Sequence, residues 1–181
     1  MKVIPSALPD VLIIEPRVFE DERGFFYESF NEREFGDKTG ITAKFVQDNH
    51  SKSKRNVLRG LHYQAHHPQG KLIRAIVGEI YDVAVDIRKS SPTFSKWVAH
   101  RLSNVNKRML WIPSGFAHGF LVLSESAEIQ YKTTDYWSPQ FERCIMWNEP
   151  SLRIGWPSGL SPLLSQKDQE GLPLAKAELF P

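Results

Sequence analysis

V-L-R-G-L-H-Y-Q-A-H-H-P-Q-G-K, residues 57–71, is the stretch whose reading decides the fold. It runs extended from Val57 to Gln64, crosses a polar turn rich in His, Pro and Gly, and reaches Lys71 at the head of a new apolar run. An Arg and a His inside a strand-like segment carry charge towards a core, where burial is costly unless the groups are paired. Strict alternation puts Leu58, Gly60, His62 and Gln64 on one face and Arg59, Leu61 and Tyr63 on the other. For Arg59 and His62 to serve one site the alternation must break. Gly60 is the residue to break it, as a bulge or a close backbone approach. The alternative is an edge strand whose His and Arg face water.

Outward from this stretch the chain reads as a series of short strands. They fall at residues 11–14, 25–30, 44–49, 72–77, 79–87, 97–102, 109–112, 116–123, 128–134 and 143–147. Gly78 between two of them marks a hairpin. In its second arm Tyr81, Val83, Val85 and Ile87 share one face, with Asp82 and Asp86 opposite. Asn31 opens a short helix through Phe35, ended by Gly36 and the Thr39-Gly40 pair. Close-spaced strands without crossover helices predict an all-β antiparallel sandwich or barrel, not βαβ units. From Pro150 onward the chain is rich in Pro, Gly and Ser, which suggests a tail wrapping the barrel.

The totals bound the function. A chain of 181 residues is long enough for one domain with a real core. Its 23 basic and 21 acidic residues nearly cancel, and no basic block stands out, which argues against nucleic acid as a partner. The single cysteine, Cys144, has no partner within the chain, which favours a reducing compartment. Residues 1–10 lack the apolar core of a signal peptide, and the run 11–14 is too short to span a bilayer. A soluble cytoplasmic protein, with no membrane partner, is the expectation.

Several side chains could carry chemistry. In W-I-P-S-G-F-A-H-G-F (111–120) a Pro-Gly turn delivers a strand with Phe116, His118 and Phe120 on one face. A lone His between two aromatics reads first as a satisfied core histidine, but His62 and His118 arrive from separate strands, which favours a shared site. A metal site would need ligands converging beside them, but the same-face neighbour of His62 is the amide of Gln64, a poor ligand for zinc or iron. His66 and His67 sit in a turn and read as solvated. No metal is expected. A general base is the better reading for His62, since imidazole titrates nearest neutrality and works best with a carboxylate fixing its tautomer. Asp82, Asp86 and Asp168 are all candidates for that carboxylate, and nothing local chooses among them. Lys71 either projects into the barrel mouth, where a cation would stabilise an enolate, or is an exposed strand-start lysine. Tyr131 alternates inward with Ala127, Ile129 and Thr133, as a proton donor or as a buried phenol that has found a partner. Tyr136-Trp137 could stack on a base. Arg23, Phe26 and Glu28, within R-G-F-F-Y-E, combine a phosphate grip, an aromatic and a carboxylate.

Seven stretches together match a known pattern. They are D-E-R-G-F-F-Y-E-S-F (21–30), F-V-Q-D-N-H-S (45–51), L-R-G-L-H-Y-Q (58–64), Q-G-K-L (69–72), W-I-P-S-G-F-A-H-G-F (111–120), Y-K-T-T-D-Y-W (131–137) and L-S-Q-K-D (164–168). In this order the sequence closely resembles the dTDP-4-dehydrorhamnose 3,5-epimerase family of the cupin superfamily. The resemblance implies a single cupin jelly-roll domain over residues 1–181, dimerising by exchange of N-terminal strands. It also implies a cofactor-free double epimerisation flanking the 4-keto group of a dTDP-4-dehydro-6-deoxy sugar. A single-carbon epimerase or ketoisomerase on a related nucleotide sugar is the alternative. By resemblance His62 is the base, Asp168 its orienting carboxylate, Lys71 the enolate stabiliser and Tyr131 the proton donor. Arg23, Arg59 and His118 would contact the pyrophosphate. Gln47, Asp48, Asn49, Glu28, Glu142 and Lys167 would line the site, and Trp137 with Phe26 and Phe19 of a partner chain would sandwich the thymine. Metal-binding cupins use an H-x-H pair, from which His62-Tyr63-Gln64 departs.

Overall fold

A computed structural model describes residues 1–159 and 161–181. Two antiparallel sheets face each other. One has the order β1 (Lys2–Pro5), β2 (Leu12–Glu15), β10 (Met109–Ile112), β7 (Lys71–Val77), β12 (Ser126–Thr133), β5 (Gln47–Lys54). The other has the order β13 (Glu142–Cys144), β6 (Leu58–Gln64), β11 (Phe116–Val122), β8 (Glu79–Asp86), β9 (Trp97–Ser103). From β5 to β13 every step along the chain except β8 to β9 changes sheet, which is the winding of a jelly roll. Phe19–Asp21 (β3) and Gly24–Phe26 (β4) form a separate hairpin. No described helix is long and apolar enough to cross a membrane.

Alternation along the strands fills three apolar layers. Between the sheets lie Ile73, Ala75, Ile80, Ala84, Leu102, Leu110, Phe116, Phe120 and Ile129. Each fully buried branched side chain there contributes roughly 1.5–3 kcal/mol. The outer face of the five-stranded sheet offers Leu61, Tyr63, Val83, Val85, Ile87 and Ala117. Leu152, Ile154, Trp156, Leu174 and Phe180, from the chain after Pro150, cover it. The expected faces of β8 and β11 are therefore observed. On the six-stranded sheet, α1 (Glu32–Thr39) sets Phe35 among Phe45 and Trp111 at ring separations of 5.7 and 5.8 Å.

The hairpin expected at Gly78 does not form. β7 pairs with β10 and β12, whereas β8 pairs with β11 and β9. Gly78 instead turns the chain from one sheet to the other. Its φ is +73°, and a Cβ there would fall 2.1 Å from the Ser126 carbonyl oxygen and 2.3 Å from Ser124 Oγ. The helix also outruns its expected end. Asn31 Oδ1 accepts from the Glu34 N–H at 3.1 Å as predicted, yet the helix continues through Gly36 and closes at Gly40, whose N–H donates to the Gly36 carbonyl at 2.9 Å. One glycine inside a helix costs only about 1 kcal/mol, and the burial of Phe35 offsets it. The expected strand at 25–30 ends at Phe26. The strand at 44–49 is displaced to Gln47–Lys54, and that at 143–147 shrinks to Glu142–Cys144.

Substituting Gly78→Ala should cost more than about 2 kcal/mol, since the residue needs a left-handed backbone and has no room for a methyl. Urea denaturation would register this as a lower midpoint. An unchanged midpoint would mean the corner can relax.

Candidate active site

The central strand β6 does break its alternation. Its register against β11 slips between His62 opposite His118 and Arg59 opposite Phe120. At the slip sits Gly60, with φ +122°, whose missing Cβ would lie 2.5 Å from Gly119 Cα. With one residue taken up by the bulge, Arg59, His62 and Gln64 all face the barrel interior while Leu61 and Tyr63 face the tail. They line a cavity of about 310 Å³ together with Gln47, Asn49, Ser51, Lys71, His118, Tyr131, Trp137, Glu142 and Lys167.

Of the three candidate carboxylates, Asp168 reaches His62. Its Oδ1 lies 2.6 Å from His62 Nε2. The same oxygen accepts the Gly60 N–H at 3.0 Å, and Oδ2 accepts the Ser165 hydroxyl at 2.6 Å. Burial alone would raise the Asp168 pKa, but the donors from His62, Ser165 and Gly60 outweigh it and hold the carboxyl well below its ordinary value. Burial lowers the His62 pKa, and the Asp168 carboxylate partly restores it. The imidazole is thus neutral at neutral pH yet has a counter-charge waiting once it is protonated.

The other two aspartates serve elsewhere. Asp82 places both carboxylate oxygens 3.0 Å from His118 Nε2, so the second histidine has its own acid. Asp86 holds Arg88, Ser91 and Thr93 at the far end of β8.

Lys71 is an interior lysine, not a strand-start surface one. It is 9% exposed. Burial pushes its pKa down to about 8 against the pull of Glu142 and Asp82. Tyr131 points inward as its parity requires, and burial with the nearby Glu142 raises its pKa, so the phenol keeps its proton at neutral pH. Glu142 is bridged to Lys167 at 2.7 Å. Gln47 Oε1 accepts from the Trp137 N–H at 3.0 Å, fixing the indole at the cavity rim.

Four candidates lie outside this cavity within the chain. Asp48 alternates to the outer face, where it pairs with Lys132 at 2.9 Å, because β5 directs its even neighbours away from Gln47 and Asn49. Glu28 lies beside α1, accepting from Asn31 Nδ2 at 3.3 Å. Arg23 and Phe26 sit on the β3–β4 hairpin, with Phe26 66% exposed. Three contributors were not anticipated. Ser51 and Phe120 follow from the parity of Asn49 and His118, whereas Ser165 carried no signal beyond its place three residues before Asp168. Gln64, read only as a poor ligand, is buried and holds the rim loop by accepting from Ser138 N and donating to the His67 carbonyl, at 2.7 and 2.8 Å.

Cys144 brings a thiol close enough that its sulfur, His62 and Asp168 offer ligand atoms within 4.8 Å of one another. Nε2 and Oδ1 are already in contact at 2.6 Å, so an ion would have to part them. Burial pushes the thiol itself up to about 12.

A closed jelly roll whose interior holds a histidine–aspartate pair, a lysine and a protonated phenol defines a cupin-type acid–base enzyme. The dTDP-4-dehydrorhamnose 3,5-epimerase family model matches residues 5–176, and the chain belongs to that family. It is 60% identical over 181 residues to the dTDP-4-dehydrorhamnose 3,5-epimerase of Pseudomonas aeruginosa, with 100% of each chain covered. The Shigella flexneri enzyme of that name is 59% identical, covering 99% of each. A crystal structure of dTDP-6-deoxy-D-glucose-3,5-epimerase from Legionella pneumophila, in complex with dTDP-4-keto-L-rhamnose, superposes with a TM-score of 0.97. That protein is 49% identical, with 99% of this chain and 97% of that one covered.

Lys71 gives a stability test with a defined sign. Its folded pKa of about 8 lies below the ordinary 10.5, so below pH 8 folding buries an ammonium at a cost of roughly 3 kcal/mol. That cost fades as pH rises towards 10.5 and is absent above it. Lys71→Met should therefore raise the urea midpoint at neutral pH, with the gain shrinking at higher pH. A lower midpoint at neutral pH would show that Lys71 is paired well enough to stabilise the fold.

Proposed function

We propose that His62, Lys71 and Tyr131 carry the family's reaction in this chain. That reaction is the epimerisation of dTDP-4-dehydro-6-deoxy-D-glucose at carbons 3 and 5, and the chain is an isomerase of that class. Protons beside a ketone are acidic because the resulting carbanion delocalises onto the carbonyl oxygen. His62 takes the proton, and the Asp168 carboxylate stabilises the imidazolium that forms. Lys71, a buried ammonium, offsets the charge developing on the enolate oxygen. Tyr131 returns a proton from the other side, which inverts the centre. The observation that carries this reading is the convergence of His62, Lys71 and Tyr131 on one cavity, with Asp168 against the imidazole. No cofactor is needed for these steps.

Arg59 and Lys167 bring positive charge to the cavity and, with the His118 ring beside them, suit the pyrophosphate, while Trp137 suits the base. A homodimer completes the site in this reading. The β3–β4 hairpin exposes Phe19, Phe25 and Phe26 at 50, 60 and 66%, and the Arg23 side chain at 86%. Such a patch suits the cavity of a second copy. A cytoplasmic location suits a biosynthetic enzyme with one free thiol.

In deuterated buffer the enzyme should exchange solvent deuterium into the 4-keto sugar, read by NMR, and invert both centres. His62→Ala should lower exchange by a factor of about 10² or more, and retained exchange would remove the base assignment. Tyr131→Phe should spare exchange more than inversion at carbon 5. A product inverted at only one carbon would place the chain among single-carbon epimerases.

Mixing inactive His62→Ala and Arg23→Ala proteins tests the shared site. Random subunit exchange should restore about a quarter of the wild-type sites, because each mixed dimer holds one intact combination. No recovery after exchange would confine Arg23 to its own chain.

A further inference from the structure

Asp168 does not arrive on the barrel. It comes from α2 (Gln166–Gln169) in the covering tail, where it is 3% exposed. Ser165 is the residue that caps this helix, and its hydroxyl works in two directions. It accepts the Asp168 N–H at 3.2 Å, the ordinary capping bond, and donates to Asp168 Oδ2 at 2.6 Å. In the usual capping box the acid reaches back to the backbone of the cap residue. Here Asp168 is turned away from that partner, with Oδ1 committed to the Gly60 N–H and His62. A carboxylate can rotate about its last bond, and the Gly60 N–H holds only Oδ1. Ser165 Oγ holds the other oxygen and so fixes the plane of the group.

We infer that Ser165 is a positioning residue for the base: through Asp168 Oδ2 it fixes which carboxylate oxygen meets His62 and how strongly that oxygen attracts the imidazolium. Ser165 does not line the substrate cavity. Its influence therefore falls on turnover, not on substrate affinity. The direction of its electrostatic effect follows from the charges. A hydroxyl bonded to Asp168 stabilises a free carboxylate more than one already neutralised by an imidazolium. Ser165 thus favours the unprotonated pair, and its removal raises the pH at which the base titrates.

This inference rests on His62 being the base. The test compares Ser165→Ala, Ser165→Gly and Ser165→Thr in the full-length enzyme, with His62→Ala alongside. Glycine caps a helix nearly as well as serine, whereas alanine does not. A residue that only caps the helix would give an impaired alanine variant and a normal glycine variant. The positioning role instead predicts that alanine and glycine both lose on the order of tenfold or more in kcat. Their KM should stay within about twofold, the acid limb of the kcat/KM profile should move to higher pH, and threonine should restore both. Ser165 lies on the outer side of the tail, so these variants keep the core intact. A Ser165→Gly enzyme with normal kcat and an unmoved acid limb overturns the inference if His62→Ala is inactive. An active His62→Ala overturns the base assignment itself, and this inference with it.

Discussion

The contact between Gly60 and Gly119 is the constraint on which the site depends. Two strands approach until no side chain fits between them, with an added Cβ on Gly60 only 2.5 Å from Gly119 Cα. That closeness absorbs one residue of β6 and turns Arg59 inward beside His62. The N–H of the same glycine then meets Asp168. One backbone irregularity therefore sets the faces of Arg59 and His62 and anchors the carboxylate beside the imidazole. A regular strand could put only one of those two side chains in the cavity.

Burial does the rest of the tuning. The same buried setting pushes the lysine down to about 8 and keeps the tyrosine protonated. Neither group needs a dedicated activating partner. His62 differs, because burial disfavours its charged form and the Asp168 carboxylate beside it restores part of that loss. A second histidine–aspartate contact, His118 with Asp82, joins the neighbouring strands β11 and β8.

Much of this was legible from residue order. The inward faces of β8, β11 and β12 follow from alternation, and the break at Gly60 follows from asking how Arg59 and His62 could share a site. What was not legible is non-local. Gly78 between two apolar runs looks the same whether the strands pair or part, because their partners lie far away in sequence. Polar β5 gave a displaced strand because its inward residues, Gln47, Asn49 and Ser51, line a cavity instead of a core. Parity already separated Asp48 from Gln47 and Asn49, so its outer placement was readable. Arg23 and Phe26 sit on a hairpin whose place within one chain no local pattern announces. The choice of Asp168 over Asp82 and Asp86 depends on the path of a tail with little periodicity. The family resemblance supplied that choice, and the coordinates supply its reason.

The tail ties cover and site together. The strands of both sheets lie upstream of it, yet the carboxylate against His62 comes from α2. The same segment covers the apolar outer face of the five-stranded sheet. Local opening of the tail would therefore wet that face and strip His62 of its carboxylate in one event, so the two losses are coupled.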